Sequence, residues 1–401
     1  MRKNFYLVIL GIFLVCTINA YGQCTDGRYL SYVFPVTVST VTYSSVYSLK
    51  MDIYQPTGDT LSARPLIILA HGGSFVGGDR ISDLTIDSLC NRFAMRGYVT
   101  ASIDYRLTTL PDMITDSTHA INEVVKAISD GKAAIRYFVK DAATTNAYKI
   151  DTNNIYIGGN SAGAVLYMHV AYVTDSSEYP VYINTATDTN GGFNGNSGNA
   201  GYSVKCKGVI NLAGALNMSA FINTGDVSSV NAQGDADATV PYNCAYPLLS
   251  TVHVQLCGLG VLEPVYVVKS IYHMSKVFPG DGHVPWSTNA VKFNTVDSLV
   301  KVFLFSLVCP GVNSVNTVYT NTDVTLFPNP ANELVNISAP VTLNEVCIYD
   351  ETGRIVYNVT GINKENYEIN TSRLASGNYF VKMKFVNENY TPVVKRMIVV
   401  N

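Results

Sequence analysis

Two patterns of apolar positions divide the chain. Up to about residue 308, unbroken apolar runs predict buried strands, and an amphipathic stretch over residues 291–308 predicts a final helix that covers a sheet. Beyond residue 324, short runs alternate apolar with polar positions and are separated by turn residues. The pattern therefore predicts an α/β domain followed by a small all-β domain. The buried runs of the first domain include residues 66–70, 155–157, 208–212 and 227–232.

The segments outside these two domains have compositions of their own. Residues 1–22 combine a basic start, a short apolar core and small residues near Ala20, which is typical of a secretory signal peptide. That core is short for a membrane span, and no later segment is long enough to be one. Residues 310–323 are rich in Val, Asn, Thr and Ser and predict a linker. The expected domains are thus residues 23–309 and 324–401.

The most informative motif follows the run at 155–157, where the chain reads Gly-Asn-Ser-Ala-Gly around Ser161. A serine on a sharp turn between a strand and a helix has its hydroxyl pushed out of the sheet, where it can attack a substrate. Glycines two positions before and after it avoid collisions at so tight a bend. In a chain with 30 glycines this pattern also arises by chance, so it needs support from other elements.

A glycine-rich loop after the run at 66–70 supplies that support, since it reads His-Gly-Gly-Ser-Phe-Val-Gly-Gly from His71. Small residues after a strand let backbone N–H groups approach an oxygen that becomes negative. We expect the amides of Gly73, Ser74 and Ala162 to be such donors. The alternative is a glycine-rich turn without chemistry. His71 has no acid near it in sequence, and we interpret it as a residue that braces the loop.

An acid and then a histidine must follow if Ser161 is a nucleophile of this type. Two aspartates, Asp235 and Asp237, follow the run at 227–232, and the position of Asp237 relative to the turn favours it over Asp235 as the acid. His283 is the histidine that lies after the acid, at a strand end and next to a glycine. Asp281 is a weaker alternative for the acid that orients it.

Taken together and in this order, these motifs resemble the α/β-hydrolase fold, and within it the carboxylesterases and hormone-sensitive-lipase-like esterases. The resemblance covers about residues 28–308 and implies a Ser161–Asp237–His283 triad with an oxyanion hole of the Gly73, Ser74 and Ala162 amides. It implies an esterase acting on short-chain or carbohydrate-linked acyl groups, such as acetyl or feruloyl. Ser74 departs from the glycine common in relatives. Little material lies between residues 208–212 and Asp237 for a large lid.

The C-terminal domain resembles the sorting domain of Bacteroidetes type IX secretion cargo. The resemblance rests on Leu-Phe-Pro-Asn-Pro from Leu326, Ile-Tyr-Asp from Ile348, Leu-Ala-Ser-Gly-Asn-Tyr from Leu374 and the end of the chain from Lys395. It implies a small β-sandwich, a partnership with the type IX secretion machinery and a secreted or cell-surface location. A carbohydrate-binding or adhesion sandwich is the alternative.

Composition limits the remaining possibilities. A charged fraction of 14% and a net charge of −3 give no electrostatic reason to bind nucleic acid. Of the eight cysteines, the α/β domain would keep six, an even number that favours disulfides in an oxidising compartment. We expect Cys244 and Cys257 to pair first, since they flank one loop between the acid and the histidine. No spacing of cysteine and histidine indicates a metal, and we expect no cofactor.

Two further expectations concern the middle of the chain and the class of function. The Thr-, Asn- and Gly-rich residues 184–192 predict a solvated surface loop on the sheet face opposite the catalytic one. Against the esterase we weigh a serine peptidase of the prolyl-peptidase type and a non-catalytic binding protein on the same scaffold. The absence of a propeller domain argues against the first. The three intact triad residues argue against the second.

Overall fold

The computed structural model describes Cys24 and residues 27–247, 254–310, 324–350, 354–386 and 393–400. The chain divides between Cys309 and Pro310 into two compact units. The predicted signal peptide at residues 1–22 and nearly all of the predicted linker lie outside the described residues. No helix among those residues is long and apolar enough to cross a membrane.

The first unit is built on an eight-stranded sheet in the order β1-β2-β4-β3-β5-β6-β7-β10. The strands from β3 onward run parallel to one another, and β1 and β2 complete one edge in antiparallel pairing. A separate short hairpin is formed by β8 and β9. The strands are β1 (Val36–Ser44), β2 (Leu49–Pro56), β3 (Arg64–Ala70), β4 (Val99–Ile103), β5 (Ile150–Asn160), β6 (Gly208–Leu212), β7 (Ser228–Gly234), β8 (Cys244–Ala245), β9 (Leu256–Cys257) and β10 (His273–Phe278).

Seven α-helices accompany these strands in the described part of the first unit. Every residue of β3, β4 and β6 is buried, as expected of strands in a parallel sheet that is covered on both faces. The helices are α1 (Leu84–Met95), α2 (Leu110–Met113), α3 (Ser117–Ala143), α4 (Ala162–Tyr172), α5 (Val181–Thr189), α6 (Leu259–Val268) and α7 (Ala290–Val308). The predicted α/β-hydrolase fold is confirmed, and α7 matches the final helix expected over residues 291–308.

Two disulfides join distant and neighbouring parts of this unit. Cys244 and Cys257 are bonded across the β8–β9 hairpin, which confirms the predicted pair. Cys24 is bonded to Cys309, at the end of α7. The other two cysteines of the unit, Cys90 and Cys206, are free thiols. Of the six cysteines expected to pair, four therefore do so.

The second unit is a small antiparallel β domain, as predicted. Its five strands join one continuous sheet, in which β12 pairs with β11, β13 and β14, and β14 pairs with β15. Apolar side chains such as Val335, Ile348 and Met383 form its buried core. The strands are β11 (Thr325–Phe327), β12 (Leu334–Asp350), β13 (Ile355–Asn370), β14 (Gly377–Phe385) and β15 (Val393–Val399).

Candidate active site

Ser161 lies at the bend between β5 and α4, at the carboxyl edge of the sheet. Its φ of +55° is in the left-handed region, and its amide donates a hydrogen bond to the Leu212 carbonyl at 2.8 Å. The flanking glycines are required by close contacts with β3. A Cβ on Gly159 would lie 2.5 Å from the Ala70 carbonyl oxygen, and one on Gly163 only 2.1 Å from the same atom. The bend therefore holds the Ser161 hydroxyl above the sheet.

The loops after β7 and β10 bring Asp237 and His283 to this serine. His283 Nδ1 donates to Asp237 Oδ2 at 2.7 Å, and the Ser161 hydroxyl donates to His283 Nε2 at 2.7 Å. The second carboxylate oxygen of Asp237 accepts from the amides of Thr239 and Val240, both at 3.0 Å. The Asp237 side chain is fully buried, so these bonds fix its orientation. The three side chains form one hydrogen-bonded chain from carboxylate to hydroxyl.

The two competing aspartates have other partners. Asp235 accepts from the Gly280 amide at 2.6 Å and so ties the acid loop to the histidine loop. Asp281 forms an ion pair with Lys292 at 2.5 Å, and its own backbone carbonyl accepts from the Ala236 amide. Neither carboxylate contacts the His283 ring among the described residues. Of the three aspartates, Asp237 is the one that the structure brings to the His283 ring.

His71 braces the glycine-rich loop from inside the protein. It is fully buried, donates from Nδ1 to the Gly72 carbonyl at 2.6 Å, and stacks on Tyr105 with ring centroids 4.2 Å apart. Burial lowers the pKa of His71 below its usual value, which keeps the ring neutral. The Tyr105 hydroxyl donates in turn to the His71 carbonyl at 2.9 Å. His71 therefore supports the glycine-rich loop and takes no part in the hydrogen bonds that join Asp237, His283 and Ser161.

The glycine-rich loop lies beside Ser161, because Gly73, Ser74 and Ser161 line the same cleft. Ser74 and Phe75 adopt φ values of +54° and +61°, an uncommon conformation for residues with side chains. Phe75 is held there because its ring packs against Tyr105 and its carbonyl accepts from the Thr108 amide at 2.9 Å. Within the described residues, the amides of Gly73, Ser74 and Ala162 donate to no protein group. They are therefore available to an oxygen bound beside Ser161.

A polar network behind the site was not apparent from the sequence. One carboxylate oxygen of Asp83 accepts from the Gly72 amide at 2.9 Å and from the Asn160 side chain at 3.0 Å, while the other caps the start of α1. Asn160 accepts from the Trp286 indole N–H at 3.3 Å. Asp83 and Asn160 thereby connect the glycine-rich loop, the serine bend and the histidine loop. Asn160 lies inside the serine motif, but nothing in the sequence links it to Asp83 or Trp286.

Two cavities meet at Ser161. An inner pocket of about 180 Å³ runs from Ser161 between α3, α4 and α5 and is lined mostly by apolar side chains. An outer, more open cleft lies between the glycine-rich loop and the histidine loop, with Asp83, Asn160 and His283 in its wall. Ser74, Ser161 and Thr239 line both cavities. The site can therefore take a molecule with one apolar part and one part exposed to solvent.

The expectation for residues 184–192 was wrong. Most of this segment belongs to α5, which buries Ile183, Ala186 and Thr187, and Ile183, Thr187 and Asn190 line the inner pocket on the catalytic side. The Asn190 side chain donates to Asn122 of α3 at 2.7 Å. A Thr- and Asn-rich helix has too few apolar positions to show a helical period, so composition alone indicated a loop.

The cover of the inner pocket comes from α2, the first turns of α3, α5 and the β8–β9 hairpin. The stretch between β6 and Asp237 adds little, as the sequence indicated. The Cys244–Cys257 bond secures the hairpin, and Leu256 of β9 contacts the pocket. The described residues contain no group of three or more His, Cys, Asp or Glu side chains able to hold a metal ion.

Models of two protein families match parts of the chain. Residues 51–237 match the BD-FAE family, and residues 325–400 match the secretion system C-terminal sorting domain. A curated relative, the probable isoprenylcysteine alpha-carbonyl methylesterase ICME of Oryza sativa subsp. japonica, is 29% identical over 128 residues. That alignment covers 31% of this chain and 26% of the relative, so the chain spans about a quarter of its length.

Two solved structures of an esterase from Thermogutta terrifontis are similar to this chain. Its butyrate-bound form matches with a TM-score of 0.50 and 19% identity, covering 67% of this chain and 94% of that chain. Its apo form matches with a TM-score of 0.47 and 19% identity, covering 68% of this chain and 94% of that chain.

Proposed function

We propose that this protein is a secreted serine carboxylesterase, because residues 51–237 match the BD-FAE family and residues 325–400 match a secretion system C-terminal sorting domain. The observation that carries the proposal is the hydrogen-bonded chain from Asp237 through His283 to Ser161, with both His283 bonds at 2.7 Å. A sorting domain of this kind indicates export to the cell surface or the extracellular space.

In the proposed mechanism, His283 Nε2 takes the proton of the Ser161 hydroxyl as its oxygen attacks the ester carbonyl. Asp237 holds the ring with Nδ1 protonated, so that Nε2 is free to accept, and stabilises the imidazolium that forms. The proton then passes from His283 to the leaving alcohol, and an acyl group remains on Ser161. Water activated by the same histidine hydrolyses this acyl-enzyme and restores the hydroxyl.

The negative oxygen of each tetrahedral intermediate requires fixed donors. We assign that role to the amides of Gly73, Ser74 and Ala162, which have no described protein acceptor. Ala162 is the first residue of α4, so the helix N-terminus adds its partial positive charge at the same point. Loss of one such donor costs about 3 kcal/mol of transition-state stabilisation in serine hydrolases.

The two cavities indicate where the acyl group and the alcohol group of the ester bind. The apolar inner pocket suits the acyl group, and the open outer cleft with Asp83 and Asn160 in its wall suits a polar alcohol. A carbohydrate hydroxyl is such an alcohol. We therefore propose short-chain or carbohydrate-linked acyl groups, such as acetyl or feruloyl, as substrates.

Purified protein tested on three substrate sets checks this proposal. We expect hydrolysis of short aryl esters and of acetylated or feruloylated oligosaccharides, with kcat/KM falling for long acyl chains that exceed the inner pocket. Peptide amides with proline should remain uncleaved. Faster cleavage of peptides than of every ester would favour a peptidase instead. No turnover of any ester would contradict the proposed function.

Asp83 offers a prediction about the oxyanion donors. Replacing Asp83 with alanine removes the acceptor of the Gly72 amide and the Asn160 side chain, so we expect kcat for a short aryl ester to fall about ten- to a hundred-fold with little change in KM. The lost cap of α1 should also reduce the free energy of unfolding by about 1 kcal/mol.

The matched control for Asp83 is Asn289→Ala. Asn289 caps α7 through the Val291 and Lys292 amides, much as Asp83 caps α1, but it does not contact the glycine-rich loop. This control should lose comparable stability and keep its kcat. Equal losses of kcat in both variants would show that Asp83 acts only through helix stability.

A further inference from the structure

Among the described residues that line the inner pocket, which are mostly apolar, Lys132 is the one with a charged side chain. Lys132 belongs to α3, and the residue is only 3% exposed. The pocket-lining face of α3 runs from Ala120 to Lys132, so Lys132 lies at one end of that face. A buried ammonium in a cavity that also contacts Ser161 is unusual, because transfer of a charge from water to a protein interior is costly.

The contacts between α3 and α4 locate Lys132 relative to Ser161. Gly131, its neighbour, packs so closely on α4 that an added Cβ would lie 2.5 Å from Leu166 Cδ2. Leu166 follows Ser161 by five positions, which corresponds to about 7 Å along the helix axis. The α4 wall of the pocket continues in the same direction through Val165 and His169. The part of α3 next to Lys132 therefore packs on α4 more than one helical turn beyond Ser161.

The charge of Lys132 has no anionic partner in the described residues. Its ammonium donates to the Phe193 carbonyl at 2.6 Å and lies 3.8 Å from the centroid of the Phe193 ring. No other hydrogen bond or ion pair of this side chain occurs in the part of the chain that the structure describes. An ammonium has three N–H donors, so two remain for a ligand. Burial, together with nearby Arg136, lowers the pKa of Lys132 to about 8, which still leaves it mostly charged at neutral pH.

We propose that Lys132 binds a carboxylate at the far end of the acyl group, so that the inner pocket takes half-esters of dicarboxylic acids. The apolar lining would hold the methylene chain while the ester carbonyl lies at Ser161. The carboxylate would supply the missing counter-charge through charge-assisted hydrogen bonds. This inference rests on the proposed esterase function and adds to it a residue that determines specificity.

The other role open to Lys132 is purely structural. Several side chains of α3 bind the segment after α5. Ser129 accepts from the Asn196 amide, Asp130 accepts from the Ser197 hydroxyl, Lys132 donates to the Phe193 carbonyl, and Arg136 donates to the Asn194 carbonyl at 2.7 Å. Arg136 is as buried as Lys132 but does not line the pocket. It is therefore a matched control for the structural role.

The test compares phenyl alkanoates with phenyl half-esters of dicarboxylic acids, paired by chain length from succinate to suberate. For each pair we measure the ratio of kcat/KM for the anionic ester to that for the neutral ester, after subtraction of spontaneous hydrolysis. The wild-type ratio should peak at one chain length. Lys132→Met should lower that peak about ten-fold or more, and the ratio cancels any change in kcat/KM that the substitution causes for both esters alike. Arg136→Met should not lower the ratio, because Arg136 does not line the pocket and loss of its charge only favours the charged form of Lys132.

Free hexanoate and hexanamide provide a readout that needs no variant, because the two have the same alkyl chain and only hexanoate carries a carboxylate. As inhibitors of phenyl butyrate hydrolysis by the wild type, hexanoate should compete more strongly than hexanamide. Any of three results would overturn the inference: equal losses on both ester classes in Lys132→Met, a ratio that does not depend on Lys132, or hexanamide inhibiting as strongly as hexanoate. If one of these results occurs and the wild type still hydrolyses neutral esters, the inference about Lys132 fails and the proposed esterase function stands. Failure on neutral and anionic esters alike would refute the function itself.

Discussion

Replacing Ser161 with alanine is expected to lower kcat for a short aryl ester by about a million-fold, as removal of the nucleophile does in serine hydrolases that use a triad. The variant loses the only hydroxyl that donates to His283 Nε2 among the described residues. It should still fold, since alanine fits the space of serine and the amide bond to Leu212 remains. Circular dichroism and the melting temperature check folding, and initial rates at saturating substrate check kcat.

Ser275→Ala serves as the control for Ser161. Ser275 lies in β10 of the same sheet, and its buried hydroxyl has no hydrogen-bond partner among the described residues. We expect its activity to match the wild type. A Ser161→Ala protein with a substantial part of the wild-type rate would mean that another group attacks the substrate.

The second large effect is expected at Asp237. Asparagine keeps the shape of the side chain, but its NH₂ group cannot accept from His283 Nδ1, so the ring is held in the wrong tautomer with Nε2 protonated toward Ser161. The same change in a serine protease lowers kcat about ten thousand-fold, and we expect a loss of that size here. The amides of Thr239 and Val240 can still bind the remaining oxygen, so the loop should keep its conformation.

Asp235→Asn is the matched control, because Asp235 is the aspartate that competes with Asp237 in the sequence. In the part of the chain that the structure describes, its carboxylate accepts only from the Gly280 amide, and an asparagine oxygen can replace it there. We expect kcat to change by no more than a few-fold. Comparable losses in Asp235→Asn and Asp237→Asn would show that the acid has been assigned to the wrong carboxylate.

The sequence predicted the features that depend on short stretches of the chain. The bend at Ser161 needs glycines two positions away, and close contacts with Ala70 explain why no side chain fits there. The order of strand ends placed Asp237 and His283 at the same edge of the sheet, because parallel strands present their carboxyl ends together. The Cys244–Cys257 pair was predictable because the two cysteines are close in sequence and close one short loop.

What the sequence did not reveal depends on contacts between distant segments. The cover over the inner pocket requires α5 to pack on α3, and its Thr- and Asn-rich sequence gave no periodic signal for that packing. The bonds of Asp83 to Gly72 and Asn160 join residues far apart in the chain. The Cys24–Cys309 bond spans 285 positions, and six cysteines allow fifteen pairings that no local pattern separates.

Covalent labelling by a fluorophosphonate, followed by peptide mass mapping, tests the central claim most directly. Such a reagent is attacked only by a serine that an adjacent base activates. The arrangement of Asp237, His283 and Ser161 predicts one adduct per chain, on the peptide that contains Ser161, and a much slower reaction in Asp237→Asn. Loss of activity with the label on a different residue, or an unlabelled Ser161 in a protein that hydrolyses esters, would contradict it.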